Sequence, residues 1–481
     1  MSNQLSRRQF LLGSLAISLG IPGCYKEIIN NEPIRATPPS KQSNNVRYYE
    51  KNAAEYAKYR QLFNKRIKHS PKIIAVCLNE KGVQEAVNYA RYYTLPVAIK
   101  SGGHSFEGFC LNNNGLVIEL SQMKAMHYDK ATGIFTAQPG CKLGKIYEYL
   151  YQHRKLIPAG SCGGVGVAGL TLGGGYGLFS REYGLTCDNL LSTHMVDSEG
   201  VIHDSRRDKE LLWASRGGGN GNFGVVTEFT FNTHPAPENF TSYRFKFYQL
   251  DPKKSTVIAE HWFRIMQSLP KSSYSAFVLG RSVLTILVTD THETASSQLT
   301  AVLKQLEHIA SRTYPAAKQP FLRALKRYEG QPGPLNFKNV SGGYYKDFSD
   351  LKAVFAQTHG LLRKQPGTIF QINTLGGEIS NPTKEAAAAY PHRDMQFLGE
   401  IQVYWEEDAA ETKAIASIQA LQTLLRNHGI NKHYRNYPDI DIPNWQQAYY
   451  GKNYARLQAL KSRFDKDNVF RHPQSVQPKT G

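Results

Sequence analysis

The sequence has none of the short motifs that mark the commonest metal-dependent and phosphate-binding enzymes. Its 481 residues include only six cysteines, and no two are spaced as C-x-x-C, which argues against zinc-ribbon and thioredoxin-like chemistry. The motifs H-E-x-x-H and G-x-S-x-G and the Walker loop are also missing, and the 15 histidines are dispersed. We therefore expect no metal site, no nucleophile elbow and no P-loop.

Acidic residues are scarce relative to basic ones. There are 39 Asp and Glu against 58 Lys and Arg, a formal charge of +19. The basic residues occur as scattered doublets such as Lys65-Arg66, Arg206-Arg207 and Lys253-Lys254, without a long basic run or a nucleic-acid-binding motif. We expect no nucleic-acid partner. A solvated positive surface and attraction for anionic substrates or membranes remain as explanations.

Charged residues make up only 20% of the chain, whereas hydrophobic residues make up 41% and aromatic residues 11%. This composition is that of a globular protein rather than a disordered one. The length suggests roughly two or three domains. A two-domain enzyme is the natural expectation.

The chain start has no apolar run long enough to span a bilayer. Residues 1–24 instead resemble a twin-arginine export signal, with Arg7 and Arg8 before a short apolar run, and Ile21 to Cys24 resembles an imperfect lipoprotein cleavage box. Residues 25–45 are predicted to be a linker. The expected location is the periplasm, or the membrane through a lipid on Cys24, and Pro22 leaves lipidation open.

The body of the chain changes character near residue 240. Residues 46–240 begin with the strand-helix-strand pattern "KIIAVCL", "KGVQEAVNYARYY" and "LPVAIKS". Residues 241–432 mix alternating strands such as "GEIQVYW" with longer helices, which predicts a second domain. Residues 433–481 end with a helix whose buried positions are Leu457, Leu460 and Phe464, stopped by a polar turn from Asp465 to Asn468.

The stretch "GSCGGVGVAGLTLGGGYG", residues 160–177, is half glycine. Its "GVGVAG" matches the dinucleotide pattern G-x-G-x-x-G, but that motif requires a helix directly afterwards, and "LTLGGGYG" is poor helix material. A flexible linker is also disfavoured, because the aliphatic residues between the glycines would be buried. The glycines are therefore interpreted as a place where backbone comes very close to a ligand.

Two further glycine-rich loops lie in the same predicted domain. "KSGGHSFEG", residues 100–108, follows a strand, and its glycines free backbone N–H groups to bind an anion. "SRGGGNGNFGVVTEF" is the third loop. Three such loops in about two hundred residues imply a large, extended cofactor.

These loops, together with "YRNYPDID" and "NYARLQALKSRFDKDNVFRHPQS", resemble the berberine bridge enzyme-like flavoprotein oxidases, within the wider family with a vanillyl-alcohol-oxidase type FAD-binding domain. The resemblance covers residues 69–476 in the family's order and spacing. It implies an α+β, two-domain flavoprotein. A PCMH-type FAD-binding domain and the C-terminal segment would hold FAD, and a substrate domain would contain an antiparallel sheet flanked by helices.

The resemblance also implies that FAD is bound covalently twice, to the flavin 8α carbon through His104 and to C6 through Cys162. Two fixed links would raise the redox potential and prevent loss of the cofactor after export. The sequence departs from the family pattern at Lys100, at Gly163-Gly164 and at Leu170, which weakens any transfer of substrate identity. The other implied cofactor-binding residues are Lys100, Ser101, Gly102, Gly103, Ser105, Gly166, Gly169, Gly174, Gly224, Val226 and Asn468.

Oxidation of an alcohol by a flavin needs hydride transfer to the flavin and a base for the hydroxyl proton. The resemblance nominates Tyr434 as the base, Tyr437 as the second choice and Gln402 as a substrate-facing residue. A free tyrosine titrates near ~10, so this role needs a cationic or flavin-derived field. Val165 occupies the position that the family implies for control of oxygen access, and a small residue there favours an oxidase, which forms hydrogen peroxide from O₂, over a dehydrogenase.

Three functions remain open on the sequence. The first is a sugar or oligosaccharide oxidase that acts on the anomeric hydroxyl, suggested by export, by the many aromatic residues and by the resemblance. The second is an oxidase of a secondary metabolite, such as an amine or an aromatic glycoside. The third, a non-catalytic exported flavoprotein, is disfavoured because His104, Cys162 and Tyr434 are all present.

Overall fold

The structure is a computed structural model that describes residues 40–41, 43–330 and 333–479. The expected export signal, Cys24 and most of the expected linker lie outside the described residues. None of the helices in the described part is long and apolar enough to cross a membrane.

The described chain contains strands from residue 46 to residue 405. In chain order they are β1 (Val46–Glu50), β2 (Ile73–Cys77), β3 (Val97–Lys100), β4 (Leu116–Glu119), β5 (Met126–Asp129), β6 (Ile134–Ala137), β7 (Lys155–Leu156), β8 (Leu190–Val196), β9 (Ile202–Asp204), β10 (Val225–Asn232), β11 (His234–Pro235), β12 (Asn239–Phe247), β13 (Ser273–Leu279), β14 (Leu284–Asp290), β15 (Arg312–Thr313), β16 (Ala317–Pro320), β17 (Asn336–Tyr345), β18 (Thr368–Thr374) and β19 (Phe397–Trp405).

The α-helices run from residue 56 to residue 464. In chain order they are α1 (Tyr56–Arg60), α2 (Glu80–Tyr92), α3 (Leu143–Tyr151), α4 (Val167–Leu172), α5 (Ser180–Tyr183), α6 (Lys209–Ser215), α7 (Pro252–Met266), α8 (Ser297–Ile309), α9 (Phe321–Lys326), α10 (Ser349–Lys352), α11 (Phe355–Lys364), α12 (Pro382–Ala386), α13 (Glu411–Asn427), α14 (Trp445–Tyr450) and α15 (Tyr454–Phe464).

The first part of the chain builds two sheets, one of four strands in the order β1-β2-β4-β3 and one of five in the order β5-β6-β10-β8-β9. The predicted strand-helix-strand opening is confirmed: β2 and β3 both pair in parallel with β4, and α2 connects β2 to the strands that follow. The Asn79 side chain accepts a hydrogen bond from the Gly82 N–H and caps α2.

The later part of the chain builds an eight-stranded sheet. Its central strands pair antiparallel in the order β12-β14-β13-β18-β19-β17. Residues of α7, α8, α11 and α13 form a common core with one face of this sheet. The α+β fold class, with an antiparallel sheet flanked by helices, is thus confirmed, whereas the domain boundaries at residues 240 and 432 stay predictions.

Strand β19 shows how this sheet presents two different faces. Side chains alternate along a strand, so residues two apart share a face. Ile401, Val403 and Trp405 pack in the core under the helices. Glu400 and Gln402 therefore point to the opposite face, where a large cavity lies.

The sequence reading missed a short helix in the glycine-rich stretch. Helix α4 begins directly after Gly166 and ends at Leu172, before Gly173. The expectation of no helix was wrong because the four residues from Val167 to Leu170 contain only one glycine, and the following glycines end the helix rather than prevent it. The burial of Val167 and the partial burial of Leu170 agree with the rejection of a linker.

The C-terminal helix α15 and the predicted turn after it are confirmed. Leu457, Leu460 and Phe464 are buried, and the helix ends at Phe464. The Asp465 carboxylate accepts hydrogen bonds from the backbone N–H groups of Val469 and Phe470. The tail then forms a bridge to Val97 of β3, so the end of the chain packs on the first sheet.

Candidate active site

A cavity of about 660 Å³ lies between the glycine-rich loops and the eight-stranded sheet. This volume is within the range of about 300–1,000 Å³ that is usual for ligand and cofactor pockets. The lining comes from the loop of residues 101–106, the stretch 160–178, the third glycine loop, strands β13, β17, β18 and β19, the segment 434–438 and His472. Parts distant in sequence therefore converge on one site.

Two of the glycine loops are in backbone contact. A Cβ atom built on Gly102 would lie 2.3 Å from the Gly166 nitrogen, and one built on Gly166 would lie 2.6 Å from the Gly102 nitrogen. Real Cβ atoms are not found at such distances, so only glycine permits this approach. The result is a cavity wall made of backbone, which an extended planar or phosphorylated group can contact closely.

His104 lines the cavity and stacks on Phe63, with ring centroids 4.3 Å apart and an interplanar angle of 17°. Burial, helped by the charge of Lys142, lowers the pKa of His104 to about 4. The imidazole is therefore neutral at physiological pH and keeps a nitrogen lone pair that can form a covalent bond.

Cys162 also lines the cavity as a half-buried free thiol. Burial raises the pKa of the Cys162 thiol, while the backbone N–H groups of Gly164 and Val165 act in the opposite direction. The other cysteines of the described chain are likewise unpaired: Cys77, Cys110, Cys141 and Cys187. Within the described residues the thiol of Cys162 is thus available for chemistry rather than used in a disulfide.

The cavity brings together most of the residues that the sequence proposed for the site. Those in the lining are Ser101, Gly102, Gly103, His104, Ser105, Cys162, Gly166, Gly169, Gly224, Val226, Gln402, Tyr434 and Tyr437.

Three proposed cofactor-binding residues lie elsewhere. Lys100 is buried in an ion pair with Glu119. Gly174 adopts φ +119° and leaves room beside the rings of Tyr390 and Tyr434. Asn468 lies in the turn after α15, and its side chain donates to Gln477. These residues shape the surroundings of the cavity rather than line it.

Tyr434 is 2% exposed, and its phenol oxygen already accepts two hydrogen bonds. The donors are the Gly175 backbone N–H at 2.9 Å and the Asn436 amide at 3.1 Å. Burial raises the pKa of Tyr434 far above its ordinary value, and the two donors only partly oppose this effect. Tyr434 is therefore a neutral phenol at pH 7, and its own proton is left for donation.

Tyr437 lies beside Tyr434 and is held by aromatic contacts. Its ring stacks on Phe106 at 5.4 Å, and its hydroxyl is 2.7 Å from that of Tyr176. Burial and the charge of Glu400 raise the pKa of Tyr437 well above its ordinary value. Tyr437 thus connects the loop of His104 to an acidic group on the sheet.

Glu400 is the functional candidate that the sequence reading missed. It is 5% exposed and lines the cavity, and the described residues include no cation within ion-pair distance of it. Burial raises the pKa of Glu400 to about 7, while Gln402 and Tyr437 stabilise its ionised form. The signal was present, because Glu400 precedes Gln402 by two residues on a predicted strand and must share its face.

The side chains beside Glu400 on the cavity-facing side of the eight-stranded sheet are polar and uncharged. Asn339 pairs with Gln402 across the strands, and Gln371 pairs with Glu400. The Asn339 amide donates to the Tyr404 hydroxyl, but its buried Oδ1 has no hydrogen-bond partner among the residues that the structure describes. An unpaired buried acceptor beside a cavity is satisfied when a ligand donates to it.

A buried network of ion pairs joins two of the chain segments that line the cavity. The Lys338 ammonium donates to the Glu107 carboxylate and, at 2.9 Å, to the Asp439 carboxylate. Glu107 follows His104 by three residues, and Asp439 follows Tyr437 by two. One lysine on β17 therefore joins the loop of His104 to the segment of Tyr437.

Replacing Lys338 by methionine is expected to lower the free energy of unfolding by about 3–5 kcal/mol, because the buried Asp439 carboxylate would lose its cationic partner and Glu107 would keep only Arg66. Denaturant unfolding of the holoprotein measures this change. The control is Lys145→Met, which removes an exposed pair with Glu148 and should leave the midpoint unchanged. Equal midpoints for the two variants would contradict the assigned role of the network.

Comparison with known proteins identifies the family. A model of the FAD binding domain matches residues 71–206, and one described as berberine and berberine like matches residues 433–477. An uncharacterized FAD-linked oxidoreductase of Bacillus subtilis, YgaK, is 32% identical over 88% of this chain and 95% of its own.

Other relatives carry more specific names. An aclacinomycin-N/aclacinomycin-A oxidase of Streptomyces galilaeus is 30% identical over 86% of this chain and 87% of its own. A chitooligosaccharide oxidase of Gibberella zeae is 27% identical over 98% of both chains. The solved structure of Physcomitrella patens BBE-like 1 superposes with a TM-score of 0.80 at 25% identity, over 91% of this chain and 98% of that one.

The cavity fits the cofactor that these matches imply. A Cβ atom at Gly102 or Gly166 would force apart the two loops that form its backbone wall, and its volume suits a large ligand. FAD is thus the cofactor of the cavity, with the loops of residues 101–106 and 160–178 placed to hold it. The chain belongs to the berberine bridge enzyme-like family of FAD-linked oxidoreductases.

Proposed function

We propose that the protein is an oxidase that converts the anomeric hydroxyl of a sugar or oligosaccharide to a lactone, with O₂ as the electron acceptor. The observation that carries this proposal is the polar wall of Asn339, Gln371 and Gln402, whose amides can both donate to and accept from a row of hydroxyl groups. The relative named as a chitooligosaccharide oxidase supports the same substrate class.

FAD, when bound, would supply the acceptor for the hydride of the substrate carbon, and its reoxidation by O₂ would give hydrogen peroxide. We propose that His104 and Cys162 hold it covalently at the flavin 8α carbon and at C6. The neutral imidazole and the free thiol, both in the cavity lining, support this attachment.

The site suggests how the hydroxyl proton leaves. A base works best when its pKa is near the working pH, and Glu400, at about 7, meets this condition. We infer that Tyr437 receives the substrate proton as it passes its own proton to Glu400. Tyr434, the first choice from the sequence, keeps its proton and donates a hydrogen bond to the reacting oxygen, because both acceptor positions on its own oxygen are already used.

The substrate proposal is tested by measuring peroxide formation with a panel of mono- and oligosaccharides. We expect turnover with reducing sugars, and a higher KM in Asn339→Ala with a smaller change in kcat, because Asn339 binds substrate without touching the proton pathway. A panel in which every sugar fails would contradict the proposal.

The covalent links are tested on denatured protein. We expect a flavin-fluorescent band on a denaturing gel for the wild type, for His104→Ala and for Cys162→Ala, since one link remains in each single variant. The double variant should lose the band, and peptide mass should locate each flavin. Release of FAD from the wild-type protein by acid precipitation would rule out both links.

A second candidate is an oxidase of a secondary metabolite, such as an amine or an aromatic glycoside. The observation that favours it is the carboxyl of Glu400, which has no cationic partner in the described chain and would attract a protonated amine. Peroxide formation with amines but not with neutral sugars would select this function.

We further propose that the protein is exported through its twin-arginine-like start and anchored by a lipid on Cys24. The arginine pair and the position of Cys24 after a short apolar run support this proposal. Membrane fractionation of the wild type and of Cys24→Ala tests this proposal. We expect the wild type in the membrane fraction and the variant in the soluble fraction.

A further inference from the structure

Arg435 is a buried cation on the cavity wall that has no acidic partner. It is 3% exposed and lines the cavity. Its Nε donates to the Tyr450 hydroxyl at 3.0 Å, and its Nη2 lies 3.2 Å from the His472 ring. Among the described residues no carboxylate lies within ion-pair distance of the guanidinium, and Nη1 has no hydrogen-bond partner.

The surroundings of Arg435 do not neutralise it. Burial and the Arg435 charge lower the pKa of His472, so the imidazole is neutral and supplies no counter-charge to the guanidinium. The rings of Phe109 and Tyr449 lie 5.7 Å from the guanidinium carbon and offer only their π faces. A buried charge without a counter-charge is costly, and a bound anion removes that cost.

No other buried cation lines this cavity in the described chain. The imidazoles of His104 and His472 are neutral, and Arg327 is exposed. Lys100, which the sequence proposed for cofactor binding, is paired with Glu119. The positive charge available to a ligand therefore comes from Arg435.

The position of Arg435 is also one where a cofactor is expected. Phe109, under the guanidinium, directly follows the first glycine loop and stacks on His472 at 4.6 Å. Tyr450, which binds Nε, also accepts from the Asn222 amide of the third loop. Arg435 thus lies where these two loops meet the C-terminal tail.

We propose that Arg435 binds the negative charge of FAD in this cavity, either on the diphosphate or on the isoalloxazine ring when that ring becomes anionic. This inference requires FAD binding but no particular substrate. Arg435 is thereby a cofactor-binding residue that supplies the counter-charge which Lys100 does not.

The test uses the purified holoenzyme of Arg435→Met, which removes the charge from a side chain of similar length. Sulfite is the probe: it forms a bond from its sulfur to flavin N5, no electrons leave the adduct, and negative charge is left on the ring. If Arg435 faces the ring, the sulfite Kd should rise about 10- to 100-fold, the size of a lost hydrogen bond to a charged group.

If Arg435 faces the diphosphate, the sulfite Kd stays constant and the FAD-to-protein ratio of the variant falls. Either change supports the inference. Full FAD occupancy together with an unchanged sulfite Kd would overturn it. Both readouts are independent of the sugar proposal, because no substrate is present.

Arg181→Met is the matched control, since Arg181 is also buried with no carboxylate at ion-pair distance in the described part of the chain, but donates to the carbonyls of Ser273 and Leu269 outside the cavity lining. It should lower thermal stability and leave the sulfite Kd unchanged. Where Arg435→Met does not fold, Arg435→Lys and Arg435→Gln replace it. The inference then requires tighter sulfite binding or higher FAD occupancy in the lysine variant, and equal behaviour of the two overturns it.

Discussion

Glu400→Gln is expected to lower kcat about 10²- to 10⁴-fold, the usual contribution of a positioned general base. The glutamine keeps the size of the side chain but cannot accept the proton that Tyr437 passes on. Steady-state oxygen consumption with a saturating sugar measures the loss. FAD content should stay at the wild-type level, because Glu400 lies on the sheet rather than on the glycine loops.

The pH dependence of the reaction rate follows from the carboxyl group of Glu400. Burial raises the pKa of Glu400 to about 7, so the active, ionised form is lost as the pH falls through that value. Wild-type kcat/KM should therefore rise with pH through about 7 and then level off. In Glu400→Gln this limb should be absent.

Tyr437→Phe provides the companion measurement, since the proton is proposed to pass through its hydroxyl. Residues that act as one unit are non-additive, so the double variant should be about as slow as the slower single variant. Tyr434→Phe should keep the pH limb, because its phenol only donates. A pH limb that disappears in Tyr434→Phe and persists in Glu400→Gln would return the role of base to Tyr434.

Gly102→Ala is expected to remove most of the bound FAD. The new Cβ would lie 2.3 Å from the nitrogen and 2.8 Å from the Cα of Gly166, and backbone atoms of a packed loop cannot move aside cheaply. Overpacking of this kind costs about 1–3 kcal/mol or more. The FAD-to-protein absorbance ratio and the thermal midpoint measure the two consequences.

Gly360→Ala is the control for this substitution. Gly360 lies within α11, and a Cβ there meets no atom of the described residues within 4 Å beyond its own helix and chain neighbours. Alanine favours a helix by about 1 kcal/mol over glycine, so the variant should be as stable as the wild type or more so, with full FAD. Normal FAD content in Gly102→Ala would show that the contact of the two loops does not shape the cofactor site.

Much of the fold and of the cofactor site is readable from the sequence, because local patterns encode it. The alternation of "GEIQVYW" places Ile401 and Val403 in the core under the helices of the large sheet, and the amphipathic pattern of α15 places Leu457 and Leu460 in a separate hydrophobic core. The glycine clusters indicate close backbone approach, and the loops containing Gly102 and Gly166 do meet.

The sequence did not predict the charge state and ion pairing of the site residues, because these depend on which side chains the fold brings together. Lys100 and Arg435 both lie within the motifs that the sequence offers. Only the folded chain places Glu119 against Lys100 and, among the described residues, no carboxylate within ion-pair distance of Arg435. The raised pKa of Glu400 likewise comes from burial on the sheet, between Gln402 and Tyr437. Partners distant in sequence determine these properties, and no local pattern contains them.

The substrate claim is tested most directly by mixing the holoenzyme anaerobically with reducing oligosaccharides and following the absorbance of its flavin. The proposed function predicts bleaching by the reducing sugars and none by the corresponding alditols, which lack an anomeric hydroxyl. Admission of O₂ should restore the absorbance and release one hydrogen peroxide per flavin, as the electron balance requires. No bleaching with any sugar, or equal bleaching with the alditols, would contradict the proposed function.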